Sequence, residues 1–368
     1  MGSKKKVEVE YIFDFRLNGR KQEFKVKWKG ETESDAEWKQ LEKFPRDEEM
    51  VRSFKEDFLA QFLSFCGNSD YRSVLSKDLS TTAVFARIGL LSVPASFKFD
   101  SPYRLKKMEQ RAKLAEAAAE LNRKLSPNER IHVENEVDLE LLPDDVEWNP
   151  GHPTDINLEK EVCLKGCDCS GTCFYTEDCC FPNRYTRKGR LQDLKDTSFV
   201  YECGNHCGCD PKICLNRVVR NGGKCSLCIF KTPKKGWGVK TLKDIERGTL
   251  VSEYSGEIIT KQEFDRRSLA EDYTSKGMTY FFQIDHQLTI DGTKVGNEAR
   301  FFNHSCHPNM GVFHVMVDIN VTYHRLAFFA NSRIEAGDEL TFEYQLKGQN
   351  YAGKTCECGW AGCKKVTI

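Results

Sequence analysis

The sequence predicts a multidomain fold that is mostly β-sheet with some α-helix, and three observations lead to this prediction. The segment EFKVKWK alternates Phe24, Val26 and Trp28 with charged residues, which is typical of a half-buried strand. Residues 225–346 contain many short β-branched and aromatic runs separated by glycine, as expected of a domain of short strands. Nine cysteines lie between residues 167 and 214, and a length of 368 residues has room for two or three domains.

Composition narrows the class of protein. Lys plus Arg and Asp plus Glu each number 55, and this zero formal charge argues against a chain that simply coats nucleic acid, although a local basic patch stays open. No apolar run approaches the length of a membrane span, and the start MGSKKKVEVE has no apolar segment typical of a secretory signal. In a chain without such a signal, 17 cysteines indicate metal ligands more often than disulfides.

The first predicted module spans residues 1–65. The Asn-Gly pair of RLNGRK indicates a hairpin turn before the strand that contains Trp28, and phenylalanines at helical spacing predict a closing helix. Residues 66–130 are interpreted as a linker with a helix near 102–125, because Ser101 is a good N-cap and Pro102 suits the first helical position. This helix is expected to pack or to act as a spacer.

The cysteine-rich segment lies in the predicted region 131–222. Its spacing is CxCx3Cx5CC followed by Cx3CxCx4C, in which CxC and CC pairs suit neighbouring ions better than one ion. Nine thiolates can satisfy the twelve ligand positions of three tetrahedral zinc ions if three of them bridge, so the count fits a trinuclear cluster. A disulfide framework and an iron–sulfur cluster are the alternatives. The nine residues are Cys167, Cys169, Cys173, Cys179, Cys180, Cys203, Cys207, Cys209 and Cys214.

A second, smaller group of cysteines ends the chain. CECGWAGC provides Cys356, Cys358 and Cys363, which is one ligand short of a tetrahedron, and Cys306 in NHSC is the candidate for the fourth. One zinc ion would then staple the tail to a distant loop. Of the four remaining cysteines, Cys163, Cys225 and Cys228 are expected to be free or packed, and Cys66 is expected to lie in the core of the first module.

Taken in order, these motifs resemble a SET-domain histone lysine methyltransferase of the heterochromatin-forming suppressor-of-variegation type. The resemblance covers residues 131–368 and rests on the nine-cysteine block, GWGV (236–239), YSGEIIT (254–260), RFFNHSCHPN (300–309), ELTFEY (339–344) and CECGWAGC. It implies a pre-SET zinc region at 131–222, a β-rich SET domain with knot-like threading at 223–346, and a post-SET zinc site at 347–368. IHVENEVDLE (131–140) is similar to the segment that enters the pre-SET region of this subgroup.

The resemblance also implies residue roles. The methyl donor would be S-adenosylmethionine, which the GWG turn would approach through its backbone, because glycine permits close contact. The implied cofactor-binding residues are Gly236, Trp237, Gly238, Tyr280, Asn303 and His304. The implied catalytic residues are Tyr344, Tyr280 and Phe342, with a modulatory role for Arg300.

The implied methyl transfer to a lysine amine requires few protein groups. The lysine amine must be neutral, although its free pKa is about 10.4, and an aromatic channel beside a positive sulfonium would lower that pKa by desolvation and like charge. The hydroxyls of Tyr344 and Tyr280 would aim the lone pair, and water could remove the proton. Phe342 stands where the family has Phe or Tyr, and Phe leaves room for the amine to rotate, which favours di- and trimethylation.

Two further expectations concern what the protein binds. A basic histone tail favours an acidic groove, for which the candidates are Glu253, Glu257, Asp285 and Asp291. The segment from VEVEYIFDF to DAEW resembles a chromodomain of the same subgroup, in which an aromatic cage attracts methyllysine. Trp28 matches one cage position, but Val7 and Glu31 occupy the other two, so methyllysine binding and a packing, nucleic-acid or partner role all stay open.

The sequence therefore predicts an S-adenosylmethionine-dependent histone lysine methyltransferase with four structural zinc ions, acting on histone H3 at lysine 9. A nuclear location on heterochromatin follows from the resemblance, with a histone tail or nucleosome as substrate and a methylated histone or chromatin partner at residues 1–65. The alternatives are a chromatin-binding protein with an inactive SET domain and a methyltransferase for a non-histone protein.

Overall fold

The computed structural model describes residues 9–18, 21–40, 48–65, 97–125, 130–158, 166–173, 184–196, 199–270, 280–317, 323–344 and 355–364. The chain divides into two compact units. One consists of Met1–Leu114 with Asn135–Leu141, and the other of Ala115–Glu134 with Leu142–Ile368. None of the helices in the described ranges combines the length and apolar character that a membrane crossing requires.

The first unit is a three-stranded antiparallel sheet with a helix. Its elements are β1 (Val9–Asn18), β2 (Lys21–Trp28), β3 (Glu37–Gln40) and α1 (Glu48–Phe65). The sheet order is β1-β2-β3, and the predicted half-buried strand is β2, with Phe24 fully buried and Val26 almost so. The small sheet followed by a helix confirms the predicted architecture of this module.

Aromatic residues from beyond α1 complete the core of the first unit. Phe99 packs against Phe54 and Phe58 with ring centroids 5.1 and 5.0 Å apart, and Phe97 lies 5.1 Å from Phe62. These contacts bury apolar surface that the sheet and α1 would leave open to water. The compact unit therefore extends past the predicted boundary at residue 65.

Helix α2 (Pro102–Arg123) lies within the predicted range of 102–125. The Ser101 hydroxyl accepts a hydrogen bond from the Arg104 amide at 3.2 Å, as an N-cap should. Tyr103 packs on Tyr11 at 4.1 Å between ring centroids, and the buried Lys107 ammonium donates to the Asp138 carbonyl at 2.9 Å. The first half of α2 is thus an integral part of the first unit rather than a free spacer.

The second unit contains the remaining strands, and it is built from several small sheets. In chain order the elements are β4 (Arg130–Glu134), β5 (Glu147–Trp148), β6 (Val200–Tyr201), β7 (Ser226–Thr232), β8 (Gly236–Thr241), β9 (Leu250–Glu253), β10 (Glu257–Thr260), α3 (Lys261–Ser268), β11 (Phe281–Gln283), β12 (Leu288–Asp291), β13 (Val295–Gly296), β14 (Asn303–His304), β15 (Met310–Met316), β16 (Arg325–Ala330) and β17 (Thr341–Phe342). The sheets have the orders β4-β7-β8, β6-β15-β16-β9, β10-β12-β11, β13-β5 and β14-β17.

Strand β16 lies at the centre of the second unit. Five consecutive residues of β16, from Leu326 to Ala330, are fully buried, so both faces of the strand are covered. Its sequence RLAFFA is a continuous apolar run of the kind expected for such a strand. The predicted β-rich domain of short strands is confirmed. Phe328 of β16 packs against Phe302 and Phe342, which belong to the candidate site.

Candidate functional site

Two segments that are distant in sequence run side by side at the centre of the site. Strands β14 and β17 pair in parallel, with Asn303 opposite Thr341 and His304 opposite Phe342. The Ser305 amide extends this pairing by donating to the Phe342 carbonyl at 3.0 Å. The structure thereby brings the NHSC segment against the FEY strand, as the resemblance implies.

Two tyrosine hydroxyls are fixed by carbonyl groups at this crossing. The Tyr344 hydroxyl donates to the Phe302 carbonyl at 2.8 Å, and the Tyr254 hydroxyl donates to the Tyr280 carbonyl at 2.7 Å. Burial raises the pKa of both phenols well above the ordinary value, so both are protonated at neutral pH. Each hydroxyl oxygen keeps lone pairs that can accept a hydrogen bond from a bound amine.

Tyr254 was not among the predicted site residues. It follows the end of β9 in YSGEIIT, and it is almost fully buried. A Cβ at Gly292 would lie 2.9 Å from its hydroxyl oxygen, so Gly292 is needed to admit this side chain. Its position at the start of YSGEIIT was the one indication in the sequence that Tyr254 belongs to the site. The contact with Tyr280 cannot be predicted from sequence spacing.

Phe342 lies in an aromatic stack beside these hydroxyls. Its ring centroid is 4.8 Å from that of Tyr344, 5.0 Å from that of Phe328 and 6.1 Å from that of Phe282. The side chain is buried and holds no polar atom. The wall at this position is therefore apolar and cannot hold a water molecule by a hydrogen bond.

Tyr280 is covered by the side chain of Arg300. The guanidinium carbon lies 4.2 Å from the centroid of the Tyr280 ring, which is cation–π geometry. Arg300 is itself held by the carbonyls of Gly292 and Thr293, at 3.0 and 3.3 Å. The predicted modulatory residue thus contacts the predicted channel residue directly.

The GWG turn begins β8 and faces the NHSC segment. Gly236 has a φ of +76°, and a Cβ added to it would meet nothing within 4 Å, so its backbone faces open space. Gly238 has a different requirement, because its Cβ would lie 2.9 Å from both the Asn303 amide nitrogen and a Glu339 carboxylate oxygen. The Asn303 amide also donates to the Trp237 carbonyl at 3.2 Å, which joins the two predicted cofactor segments.

His304 connects the main chain of Tyr344 to a cysteine. Its Nδ1 accepts a hydrogen bond from the Tyr344 amide at 3.1 Å, and its Nε2 lies 3.5 Å from the Cys306 sulfur. Burial lowers the pKa of His304, so the ring is neutral and the proton belongs on Nε2, from which it points at the sulfur. The N–H group of this ring is thus directed at the Cys306 sulfur, as a hydrogen-bond donor beside a metal ligand would be.

The four cysteines of the predicted tail site come together. All four sulfurs lie within 4.8 Å of one another, and the Cys306 sulfur is 3.9 Å from that of Cys356 and 3.8 Å from that of Cys363. Zinc–sulfur bonds of about 2.3 Å in a tetrahedron place the sulfurs about 3.8 Å apart. The donor set and its spacing therefore fit one zinc ion, with Cys358 as the fourth ligand.

The larger cysteine group is also compact in the described residues. The sulfurs of Cys167, Cys173, Cys203 and Cys209 lie within 4.8 Å of one another, and the Cys173 sulfur is 3.5 and 3.6 Å from those of Cys167 and Cys203. The other described members of this group are Cys169, Cys207 and Cys214. Cys179 and Cys180, like Cys66 and Cys163, lie outside the described residues.

Thiols this close together do not ionise equally. A hydrogen bond from Cys203 lowers the pKa of Cys214 to about 4, whereas burial raises the pKa of Cys209. Two side chains also donate to sulfurs, Arg217 to Cys209 at 3.3 Å and Asn216 to Cys203 at 3.5 Å. Bound divalent cations would neutralise the repulsion between neighbouring thiolates and so allow every thiol of the group to lose its proton. The group therefore fits a zinc cluster.

The four predicted acidic-groove residues are engaged within the chain. Arg267 binds Glu257 at 2.6 Å and Asp291 at 2.8 Å, and Glu253 accepts from His152 at 2.8 Å. Asp285 accepts the Gln287 amide at 2.7 Å and so caps a turn. These carboxylates stabilise the second unit, and they are not free charges that wait for a basic peptide. Sequence position alone does not show these internal partners, and the acidic groove stays a prediction.

The predicted methyllysine-cage residues are only partly described. Trp28 packs against the core of the first unit, and the Glu31 amide donates to its carbonyl at 3.1 Å. Val7 lies outside the described residues. Of the remaining cysteines, Cys228 is buried and Cys225 is half-buried, with the Cys225 thiol donating to the Leu250 carbonyl at 3.5 Å.

Three domain families match this chain. The Chromo (CHRromatin Organisation MOdifier) domain matches residues 7–57, the Pre-SET motif matches residues 123–217 and the SET domain matches residues 236–345. Among curated relatives, the histone-lysine N-methyltransferase SUV39H2 of Xenopus tropicalis is 37% identical over 97% of this chain and 88% of its own length. The human SUV39H2 is 34% identical over the same shares of the two chains.

Solved structures with the same fold include two whose descriptions name a chemistry. The Neurospora SET domain protein DIM-5, described as a histone lysine methyltransferase, matches with a TM-score of 0.55 and 32% identity over 61% of this chain and 99% of its own. SUVH6 of Arabidopsis thaliana in complex with S-adenosylmethionine (SAM) matches with a TM-score of 0.55 and 30% identity over 64% of this chain and 53% of its own.

Proposed function

The chain belongs to the SUV39 family of histone-lysine N-methyltransferases, and from this premise we propose that it methylates lysine 9 of histone H3. It is a SET-domain enzyme of the heterochromatin type that acts on histone lysine with S-adenosylmethionine as methyl donor. The observation that carries the proposal is the pairing of β14 with β17, which sets the Tyr344 hydroxyl beside the NHSC segment.

The residues at the GWG turn fit the cofactor. Gly236 opens its backbone to free space, and Asn303 and His304 lie on the facing strand. When bound, S-adenosylmethionine would supply a methyl group to a neutral amine, and the neutral thioether S-adenosylhomocysteine would be the leaving group. We assign Gly236, Trp237, Gly238, Asn303 and His304 to holding it, because together they line one turn and one strand that meet at the Asn303–Trp237 hydrogen bond.

The tyrosines orient the substrate amine and do not act as its base. Their raised pKa values keep Tyr344 and Tyr254 protonated, and each donates its hydroxyl proton to a main-chain carbonyl. Their oxygens can accept the N–H groups of a neutral lysine and so aim its lone pair. The aromatic surroundings of Phe342 disfavour the charged ammonium by desolvation, which helps the lysine to lose its proton to water.

The wall at Phe342 favours addition of more than one methyl group. Phe342, Phe328 and Phe282 contribute no polar group to that wall, so within this aromatic stack only the Tyr344 hydroxyl can hold an amine N–H. The amine can therefore turn after the first transfer and present its lone pair again. We assign the enzyme to di- and trimethylation for this reason.

Zinc holds the parts of the second unit that have little apolar core. We propose that Cys306, Cys356, Cys358 and Cys363 would hold one ion that fixes the tail to the NHSC segment, and that the nine upstream cysteines, seven of which the structure describes, would hold three more. The protein acts on chromatin, and we place it in the nucleus on heterochromatin, with the chromodomain as the contact for a chromatin partner.

A panel of histone tail peptides tests the proposal. Zinc-loaded full chain is incubated with labelled S-adenosylmethionine and tail peptides from histones H3 and H4, including an H3 peptide with arginine at position 9. We expect label on the H3 peptide and none on its arginine form. Label elsewhere would indicate another substrate, and binding of the cofactor without transfer would favour a chromatin-binding role.

A further inference from the structure

Glu339 is the first residue of the ELTFEY motif and lies next to the cofactor segments, but it was not among the predicted site residues. We propose that Glu339 is a positioning residue for cofactor binding, which acts by fixing the side-chain amide of Asn303. The inference rests on the proposed function, because it concerns the same cofactor site. Its test uses direct binding of S-adenosylhomocysteine, so that it can fail without the function failing.

The amide group of Asn303 has both of its N–H groups committed. Its nitrogen donates to a Glu339 carboxylate oxygen at 2.8 Å and to the Trp237 carbonyl at 3.2 Å. If the amide were flipped, its oxygen would face a carboxylate and a carbonyl, and both are acceptors. Glu339 therefore selects one of two amide orientations.

The selected orientation leaves the Asn303 oxygen available. In the described part of the chain no hydrogen bond engages this oxygen, and Asn303 is only half-buried. A Cβ added to Gly236 on the turn opposite would meet nothing within 4 Å, and we expect the bound cofactor to place a hydrogen-bond donor near this oxygen. The role of Glu339 is to keep an acceptor, and not an N–H group, at that point.

Contacts to both its side chain and its main chain fix the position of Glu339. Its second oxygen accepts from the Lys235 ammonium, which directly precedes Gly236. Its main-chain carbonyl accepts from the Asn309 side chain at 2.8 Å, and the next residue, Leu340, donates to the Val239 carbonyl at 2.7 Å. The Lys235 and Glu339 side chains are 16% and 23% exposed, so water screens this pair only in part.

Gly238 provides the room that this contact needs. An added Cβ would lie 2.9 Å from the Asn303 nitrogen and from the Glu339 oxygen, and 3.1 Å from a Thr232 methyl group. The third residue of GWG is therefore required by the Asn303–Glu339 contact itself. The absence of a side chain at Gly238 therefore allows the Asn303 amide and the Glu339 carboxylate to meet.

Replacement of Glu339 by glutamine tests the inference with little change in shape. The carboxamide of Glu339→Gln has one acceptor oxygen for two donors, Lys235 and Asn303, so the Asn303 amide loses its fixed orientation. We expect Kd for S-adenosylhomocysteine, measured by calorimetry on the zinc-loaded full chain, to rise about tenfold. The KM for S-adenosylmethionine should rise similarly, with kcat within about threefold and the peptide KM unchanged.

A double-mutant cycle separates positioning from a general structural effect. If Glu339 acts through Asn303, the change in Kd caused by Glu339→Gln should disappear in an Asn303→Ala background. Glu335→Gln is the matched control, because this exposed carboxylate on the same segment loses the same charge. It should leave Kd within about twofold, and thermal melts would verify that each variant is folded.

The outcomes distinguish the two proposals. Wild-type protein that binds no S-adenosylhomocysteine would contradict the proposed function. Wild-type binding with an unchanged Kd in folded Glu339→Gln would contradict the positioning role alone. An equally large effect of Glu339→Gln in the Asn303→Ala background would also overturn it, since the carboxylate would then act independently of that amide.

Discussion

The main-chain amide of Tyr344 donates a hydrogen bond to Nδ1 of His304 at 3.1 Å. The same imidazole directs its other nitrogen to the Cys306 sulfur at 3.5 Å. One neutral ring thus joins the main chain of Tyr344 to the four-cysteine group of the tail. Because hydrogen bonds fix both of its nitrogens, metal binding at the tail and the position of Tyr344 are expected to depend on each other.

Replacement of Tyr344 by phenylalanine should reduce turnover and spare cofactor binding. The variant loses the hydroxyl that donates to the Phe302 carbonyl and that we expect to orient the lysine amine. A loss in kcat of about a hundredfold is expected, with Kd for S-adenosylhomocysteine within about threefold. Tyr185→Phe is the control, since that buried hydroxyl binds Glu202 at 2.7 Å in the core. Equal losses of kcat in both variants would refute the assignment.

Replacement of Phe342 by tyrosine should shift the product towards monomethyllysine. The new hydroxyl would stand in the apolar stack with Tyr344 and Phe328, where it can hold a water or an amine N–H in one orientation. Quantitative mass spectrometry of an H3 peptide at long reaction times measures the distribution. Phe342→Leu serves as a control that adds no polar group, and an unchanged distribution in Phe342→Tyr would argue against this account.

Replacement of Cys306 by serine should remove one zinc ion and most of the activity. Its sulfur lies 3.9 and 3.8 Å from those of Cys356 and Cys363, so three ligands would remain at the site. Elemental analysis should give about one zinc fewer per chain. Cys225→Ser should keep the full zinc content, because that thiol donates to the Leu250 carbonyl and lies outside both cysteine groups. Full activity after loss of the ion would disconnect the tail site from catalysis.

The stability of the second unit should fall as the pH drops below neutrality. Burial, followed by the nearby His314, lowers the pKa of His324 to about 4, and the two rings lie 4.6 Å apart. The unfolded chain takes up this proton near pH 6.5 and the folded chain does not, so stability is lost between these two values. Compared with His324→Phe, the wild type should lose about 1 kcal/mol more between about pH 7.5 and about pH 5.5.

Paired melting curves of the two proteins at both pH values measure this difference. His286→Phe is a control for the loss of a histidine elsewhere in the second unit, since His286 is exposed. A wild-type protein that loses no more stability than His324→Phe would show that the buried ring takes up its proton as readily as in the unfolded chain.

Replacement of Phe99 by alanine should destabilise the first unit. The ring packs at 5.1 and 5.0 Å from Phe54 and Phe58, in a core that residues 9–65 do not complete alone. A loss of about 2 kcal/mol is expected for this half-buried ring, whereas Leu105→Ala, at an exposed position of α2, should change stability by under about 0.5 kcal/mol. Denaturant titration measures both, and equal stabilities would contradict the extended boundary.

Local pattern was sufficient for much of the fold. The alternation around Val26 predicted β2, the cap at Ser101 predicted the start of α2, and the β-branched and aromatic runs of residues 225–346 predicted a domain of short strands. Each of these signals lies within a few residues of the element that it specifies. The helix-like spacing of Phe54, Phe58 and Phe62 likewise needs no distant partner to be read.

Long-range pairing was harder to predict. That Cys306 meets the tail cysteines followed from counting ligands, but the link from His304 to Tyr344 depends on a parallel pair of strands and joins residues 40 positions apart. Tyr254 and Glu339 were missed for the same reason, since each acquires its role from contacts to distant segments. The internal partners of the acidic candidates were likewise not visible in the sequence, since Arg267 binds both Glu257 and Asp291 from another segment.

The most direct test of the central claim is tandem mass spectrometry of histone H3 from nucleosomes incubated with the zinc-loaded chain and S-adenosylmethionine. The account predicts di- and trimethylation of lysine 9, and methylation about a hundredfold slower by Tyr344→Phe. Unmodified lysine 9 in the presence of bound cofactor, or methyl groups confined to another residue, would contradict it.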